Sequence, residues 1–181
     1  MGEWLLVLAG AGLTVGTAVF VAAEFSLVAL DRPTVQQAVE AGDARARPVL
    51  ASLRRLSTQL SAAQVGITVT TLLVGYLAQP SVGALLGRLL SRWWAPDTAA
   101  AVGVGCAFVL VTIASMVLGE LLPQFLGISA PLATAKVVAV PVRVFGALAR
   151  PLVVLFNGSA NVVLRSIGVT PREELSGART P

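Results

Sequence analysis

Apolar residues in this chain come in long unbroken blocks. The first runs from Trp4 to Ala23 without a charge and carries on, past Glu24, to Leu30. The second runs from about Leu56 to Ala78 and the third from about Thr98 to Leu122. A helix that crosses a bilayer needs roughly 20 apolar residues, so each block predicts one membrane span. The first has no basic segment before it and ends in a glutamate rather than a cleavage site. It therefore reads as a retained span and not as a signal peptide. The second is rich in hydroxyls: Ser57, Thr58, Ser61, Thr68, Thr70 and Thr71.

The connections carry patterns of their own. Pro33 to Leu53 is polar with scattered Val, Ala and Leu and a Gly42-Asp43 break, which predicts two short cytoplasmic helices. Ser81 to Trp94 places Leu85, Leu86, Leu89 and Leu90 at helical spacing, which predicts a short separate helix on the outer surface. After the third block Pro131, Pro141 and Pro151 recur every ten residues, and Lys136, Arg143 and Arg150 every seven. A fourth straight span would carry those charges through the bilayer and be broken by the prolines. A kinked amphipathic helix in the inner interface is expected instead. The tail, Thr170 to Pro181, is polar and expected to fray.

Composition agrees with a membrane protein. Of 181 residues 56% are hydrophobic and only 12% charged, where a soluble domain carries about 25%. The lone Cys106 rules out a disulfide within the chain and reads as packing. There is no histidine, so histidine metal sites and Ser-His catalysis are excluded. No nucleophile and base pair is visible and no enzyme is expected. The net charge of +4 has no aromatic-basic surface with it, so no nucleic-acid partner is expected. The basic residues read as topology determinants on an anionic lipid bilayer. Arg32, Arg45, Arg47, Arg54 and Arg55 lie between blocks one and two, and only Arg88 and Arg92 between two and three. This bias puts the first loop and the C-terminus in the cytoplasm and the N-terminus outside. Trp4, Trp93 and Trp94 then all fall at the outer interface, where amphipathic rings prefer to sit.

Two acids stand out. Glu24 and Glu120 each lie near the inner end of a span running inward, at similar depth, about 30 Å from the outer end. Span two runs the other way and brings Ser61 to Gly66, with Gln64, to that depth. Oxygen ligands of this kind suit a hard cation such as Mg²⁺ or Na⁺. Gly119 allows close approach to an ion, and Pro123 removes the donor that would otherwise hold the Gly119 carbonyl. A broken helix next to an acid is a frequent way to build an intramembrane cation site. Structural readings stand beside this one. Glu24 at that depth can pair with Arg32, and the hydroxyls can serve as glue between helices. Gly12 and Gly16 form a GxxxG, a weak signal for close packing.

Three stretches in order and spacing carry a resemblance: AAEFSLVALDR (22–32), LSAAQVGITVTTLLVGYLAQP (60–80) and GELLPQFLGISAP (119–131). Together they resemble the transmembrane domain of the CorC/CNNM family, over nearly the whole chain. The resemblance implies an all-α membrane protein with three transmembrane helices and juxtamembrane belt helices. It implies a homodimer in the plasma membrane (the bacterial inner membrane) that exports Mg²⁺, with Na⁺ entry as the coupled flux. It also implies cytoplasmic CBS domains in a longer chain. Residues 1–168 would be the membrane domain and 169–181 a linker toward those CBS domains. The metal-site residues carried over are Glu120, Gly119, Gly66, Thr68 and Glu24. The family pattern has serines where this chain has Val21 and Ala23, asparagines after the glycine where it has Ile67 and Thr68, and a lysine where it has Gln124.

Two other functions remain open. The apolar Val21 and Ala23 would suit the alkyl chain of an organic cation such as a polyamine, with Glu120 receiving its ammonium. Alternatively, the domain is a membrane anchor or dimerisation scaffold for activity housed in the cytoplasmic domains.

Overall fold

The computed structural model describes residues Gly2 to Gly168. The expected linker, 169–181, lies outside the described residues, as does the predicted frayed tail. Among the described residues the fold is entirely helical. Helix α1 covers Gly2–Ala29, α2 Arg32–Glu40, α3 Ala46–Leu53 and α4 Leu56–Leu90. Helix α5 covers Pro96–Ser115 and runs through a π-helical segment, Met116–Leu121, into α6, Leu122–Ser129. Helices α7 and α8 cover Pro131–Leu148 and Arg150–Ser166. The two short helices predicted after the first block are α2 and α3. Gly42 turns the chain between them at φ 92°, where a side chain would be strained.

Two boundaries differ from the sequence expectation. The outer helix expected at Ser81 to Trp94 is no separate element, because α4 continues through Pro80 for 35 residues. Proline deprives only one carbonyl of its donor, and the flanking turns hold the helix. The Ser81 hydroxyl donates to the Leu77 carbonyl at 2.8 Å beside that gap. The second difference concerns the span count. Among the described residues four helices, rather than three, are long and apolar enough to cross a membrane: α1, α4, α5 through α6, and α7. The prolines that argued against a fourth do not break it. Pro131 and Pro151 occupy the first turns of α7 and α8, where the missing N–H has no helical partner anyway. Only Pro141 is internal, and α7 passes through it.

The chain divides into two compact units. The first comprises residues 1–18 and 67–123. Here α1, the second part of α4, and α5 approach closely through small residues. An added Cβ on Gly103 would lie 2.6 Å from the Gly87 nitrogen, and one on Gly83 would lie 3.3 Å from the Val104 Cα. One on Gly10 would lie 2.5 Å from the Ala78 Cβ. Without a hydrophobic force between helices in lipid, such backbone proximity supplies the packing. Of the predicted GxxxG pair, Gly16 faces Thr70 but Gly12 meets nothing within 4 Å. Gly10 joins α1 to α4 in this unit, and Gly83, Gly87 and Gly103 join α4 to α5. Glu3 and Arg88 form an ion pair at the end that also carries Trp4. The outward face of α5 is apolar and exposed, from Val104 to Leu118. Cys106 lies on it, so its expected packing role does not hold.

The second unit comprises residues 19–66 and 124–181. Its core is Leu27, Val35, Ala46, Val49, Leu53, Ala135 and Ala139, which packs the α2–α3 hairpin against α1 and α7. Phe20 and Phe145 stack at a tilt with ring centroids 4.6 Å apart. The Lys136 ammonium donates to Asp43 Oδ2 at 2.6 Å and pins the hairpin to α7. That contact, and the Arg45 backbone N–H, hold the Asp43 carboxyl below the usual carboxylate range.

Candidate functional site

The site begins with a local conflict in GELLP. Pro123 has no N–H, so the Gly119 carbonyl four residues earlier loses its ordinary α-helical donor. The chain answers by widening into a π turn over Met116–Leu121. The Leu122 N–H reaches back five residues to the Val117 carbonyl. With that donor used and Pro123 offering none, the Leu118 carbonyl has no partner in either helical register. The helix break expected beside Glu120 is thus a π turn in a helix that continues to Ser129. Such single turns recur at functional sites because they redirect side chains and free carbonyls.

Within the first unit the π turn meets α1. An added Cβ on buried Gly119 would lie 3.4 Å from Thr14 Cγ2 and 3.6 Å from Thr17 Cβ. The Thr17 hydroxyl donates to Thr70 Oγ1 at 2.7 Å, joining α1 to α4 beside the turn. The Thr14 hydroxyl donates to the Gly10 carbonyl at 3.0 Å. Glu120 follows Gly119 and is half-buried. Among the described residues its carboxylate has no hydrogen bond or ion pair. Of the predicted residues, Glu120 and Gly119 therefore sit together on this turn. Thr68 is exposed. The α4 hydroxyl that reaches α1 is Thr70, two residues on and about 200° around the helix.

Glu24 and Gly66 belong to the second unit. The half-buried Glu24 accepts a hydrogen bond from Gln64 Nε2 at 3.2 Å. Its alternative partner Arg32 instead donates to the Leu53 carbonyl at 3.1 Å and closes the end of α3. Gly66 is buried against an aromatic ring, since an added Cβ would lie 2.6 Å from Phe20 Cε2. Its missing side chain makes room for Phe20. Val21 and Ala23 are 4% and 0% exposed and belong to the packed interior of their unit.

Sequence reasoning missed Thr14 and Thr17. They lie three residues apart, hence on one helix face, in a block with few other polar groups. That spacing was the available signal.

The GELLP turn and the Gln64–Glu24 pair both fall within a stretch that matches a known domain family. The cyclin M transmembrane N-terminal domain (CNNM) matches residues 8–179. The chain belongs to the CNNM family. Among its relatives, UPF0053 protein MT1890 of Mycobacterium tuberculosis (strain CDC 1551 / Oshkosh) is 46% identical over 176 residues, which are 97% of this chain and 39% of the relative. UPF0053 proteins YugS and YhdT of Bacillus subtilis (strain 168) are 35% and 33% identical, over 84% and 91% of this chain and 36% of each relative. The chain thus spans less than two fifths of the length of these relatives. A CNNM membrane domain is consistent with a membrane transporter, and the π turn carrying Glu120 lies inside the matched region.

Proposed function

We propose that this CNNM domain moves a divalent cation across the membrane, with Mg²⁺ exported and Na⁺ entry as the coupled flux. The observation that carries the proposal is the unpaired, half-buried Glu120 carboxylate on a π turn beside the Thr17–Thr70 hydroxyl pair. Ionisable groups inside membrane helices are costly and mark ion pathways. A carboxylate, hydroxyl oxygens and a freed carbonyl are hard ligands that favour Mg²⁺ or Na⁺ over softer metals. Among the described residues no group of three or more His, Cys, Asp or Glu could hold a metal. Mg²⁺ would therefore keep several waters, as it prefers, and meet the protein through one carboxylate. In this reading the domain works as a homodimer in the plasma membrane, N-terminus outside, with cytoplasmic CBS domains in a longer chain and α7 lying as a belt rather than a fourth span.

Calorimetry on the chain in nanodiscs tests this, with Mg²⁺, Na⁺ and putrescine as ligands. Saturable Mg²⁺ binding, weakened at least tenfold by Glu120→Gln, is expected. Equal Mg²⁺ binding by both forms would refute the role of Glu120. Putrescine binding without Mg²⁺ binding would favour an organic-cation exporter, and binding of none of the three a scaffold.

A further inference from the structure

Within the second unit lies a cavity of about 1000 Å³ that the cation pathway does not use. Its wall is strongly basic. Arg54 and Arg55 come from the turn between α3 and α4, Arg143 from α7 and Arg150 from the start of α8. Among the described residues no acidic side chain lines it. Neither ion pair among the described residues, Glu3–Arg88 and Asp43–Lys136, involves any of the four arginines. Four guanidinium groups facing one space without counter-charge repel each other, so an anion there would relieve a standing electrostatic cost.

The remaining lining narrows the anion. Gln59 also lines the cavity, and its Oε1 is buried without a hydrogen-bond partner. That oxygen calls for a donor, which the hydroxyl of a headgroup supplies. Asn157 and Asn161 stand one turn apart on α8 and add polar groups to the same wall. Beside them the surface is apolar: Val153 and Val154 line the cavity, and Leu148, Val154 and Phe156 are 77%, 63% and 53% exposed. The arginines cluster where α4 begins and α7 ends, both helices apolar enough to cross a membrane. A ligand that fits all of this has phosphate, hydroxyl and acyl chains.

The geometry points to a binding site for the phosphate headgroup of an anionic phospholipid. Arginine forks pair bidentately with phosphate oxygens, and basic pockets between membrane helices hold multiply charged headgroups. The four arginines match a lipid with two phosphates joined by glycerol, such as cardiolipin, better than one with a single phosphate. The Gln59 oxygen would accept from the bridging glycerol hydroxyl. Acyl chains would run over Leu148 and Phe156.

The test is native mass spectrometry of the chain released from nanodiscs of phosphatidylcholine containing cardiolipin or phosphatidylglycerol. Inorganic phosphate and ATP serve as soluble competitors. One cardiolipin per chain, retained at least tenfold better than phosphatidylcholine, is expected. Arg143→Gln with Arg150→Gln should cut that retention at least tenfold, while Arg165→Gln, outside the cavity, leaves it unchanged. Arg143→Lys keeps the charge but loses the fork, so an intermediate loss is expected even if the double variant fails to fold. Retention unchanged in Arg143→Lys and in the double variant would overturn the assignment. So would displacement of cardiolipin by millimolar phosphate or ATP, which would give the cavity to a soluble anion. Equal retention of cardiolipin and phosphatidylcholine would leave no anionic lipid site.

Discussion

Replacing Gly103 by alanine probes the contact that holds the helix bearing Glu120. The added Cβ would stand 2.6 Å from the Gly87 nitrogen and 2.8 Å from the Gly83 carbonyl oxygen. Ordinary contact begins near 3.4 Å, so α4 and α5 must separate by about 0.8 Å at this level. All three nearest atoms are backbone, and no rotamer change can yield. Overpacking of this kind costs about 1–3 kcal/mol. Against it, alanine is better than glycine in a helix by up to about 1 kcal/mol. The net expectation is a loss of about 1–2 kcal/mol. Gly105, two residues on, has nothing within 4 Å of its added Cβ. There alanine carries only the propensity term and should be neutral or stabilising by about 0.5–1 kcal/mol. Reversible unfolding in mixed micelles with increasing dodecyl sulfate, followed by circular dichroism, measures both against wild type. If Gly103→Ala unfolds at or above the wild-type midpoint, the close α4–α5 approach is wrong, and so is the placement of Glu120 that depends on it.

The hydroxyl pair makes a sharper distinction between neighbours on α4. Thr70→Val should cost about 0.5–1.5 kcal/mol in the same assay, because it removes the 2.7 Å hydrogen bond from Thr17, while Thr68→Val on the exposed face should be neutral. Equal effects would place the contact on the wrong face. The Asp43–Lys136 pair predicts a pH effect of definite sign. The folded carboxyl lies below its ordinary value of 3.8, so the pair stabilises fully above that value and is lost as pH falls through the lowered folded pKa. The thermal midpoint of the wild type should then drop between pH 5 and pH 3 by more than that of Asp43→Asn. Identical drops would show that the pair is not what pins α2–α3 to α7.

The apolar blocks made the long helices legible, because a bilayer imposes length and polarity on any segment that crosses it. The Gly42 turn was legible for a local reason, since little else takes that backbone conformation. What misled was proline. Pro80 and Pro141 each remove one donor, and a helix supported on both sides absorbs that loss. The second obscurity was rotation. Seventeen glycines and a row of threonines announce close helix contacts, but which of them face a neighbour depends on helix phase. A two-residue error exchanges Thr70 for Thr68, and of the GxxxG pair only Gly16 faces a neighbour while Gly12 does not. For the same reason Glu120 could be singled out from its neighbours in sequence, whereas Thr14 and Thr17 emerged only once α1 had a fixed orientation.

The proline at 123 has a different standing from the other two. At Pro80 and Pro141 the helix continues in ordinary α register, and one carbonyl is left short of a donor. At Pro123 the preceding turn widens, the Leu122 N–H is drawn to Val117, and the Leu118 carbonyl, two residues before the half-buried Glu120, is left short of a helical donor. A chain selected only for stability in lipid would gain by replacing Pro123 with a donor and Glu120 with an apolar residue, because each unpaired polar group in hydrocarbon costs several kcal/mol. Keeping both, three residues apart where the chain meets α1 through Gly119, is a local cost that packing does not offset. In the proposed function a hydrated cation would offset it by meeting the carboxylate directly or through its waters. That is why the proposed function places the ion at the irregular turn rather than at the acid alone.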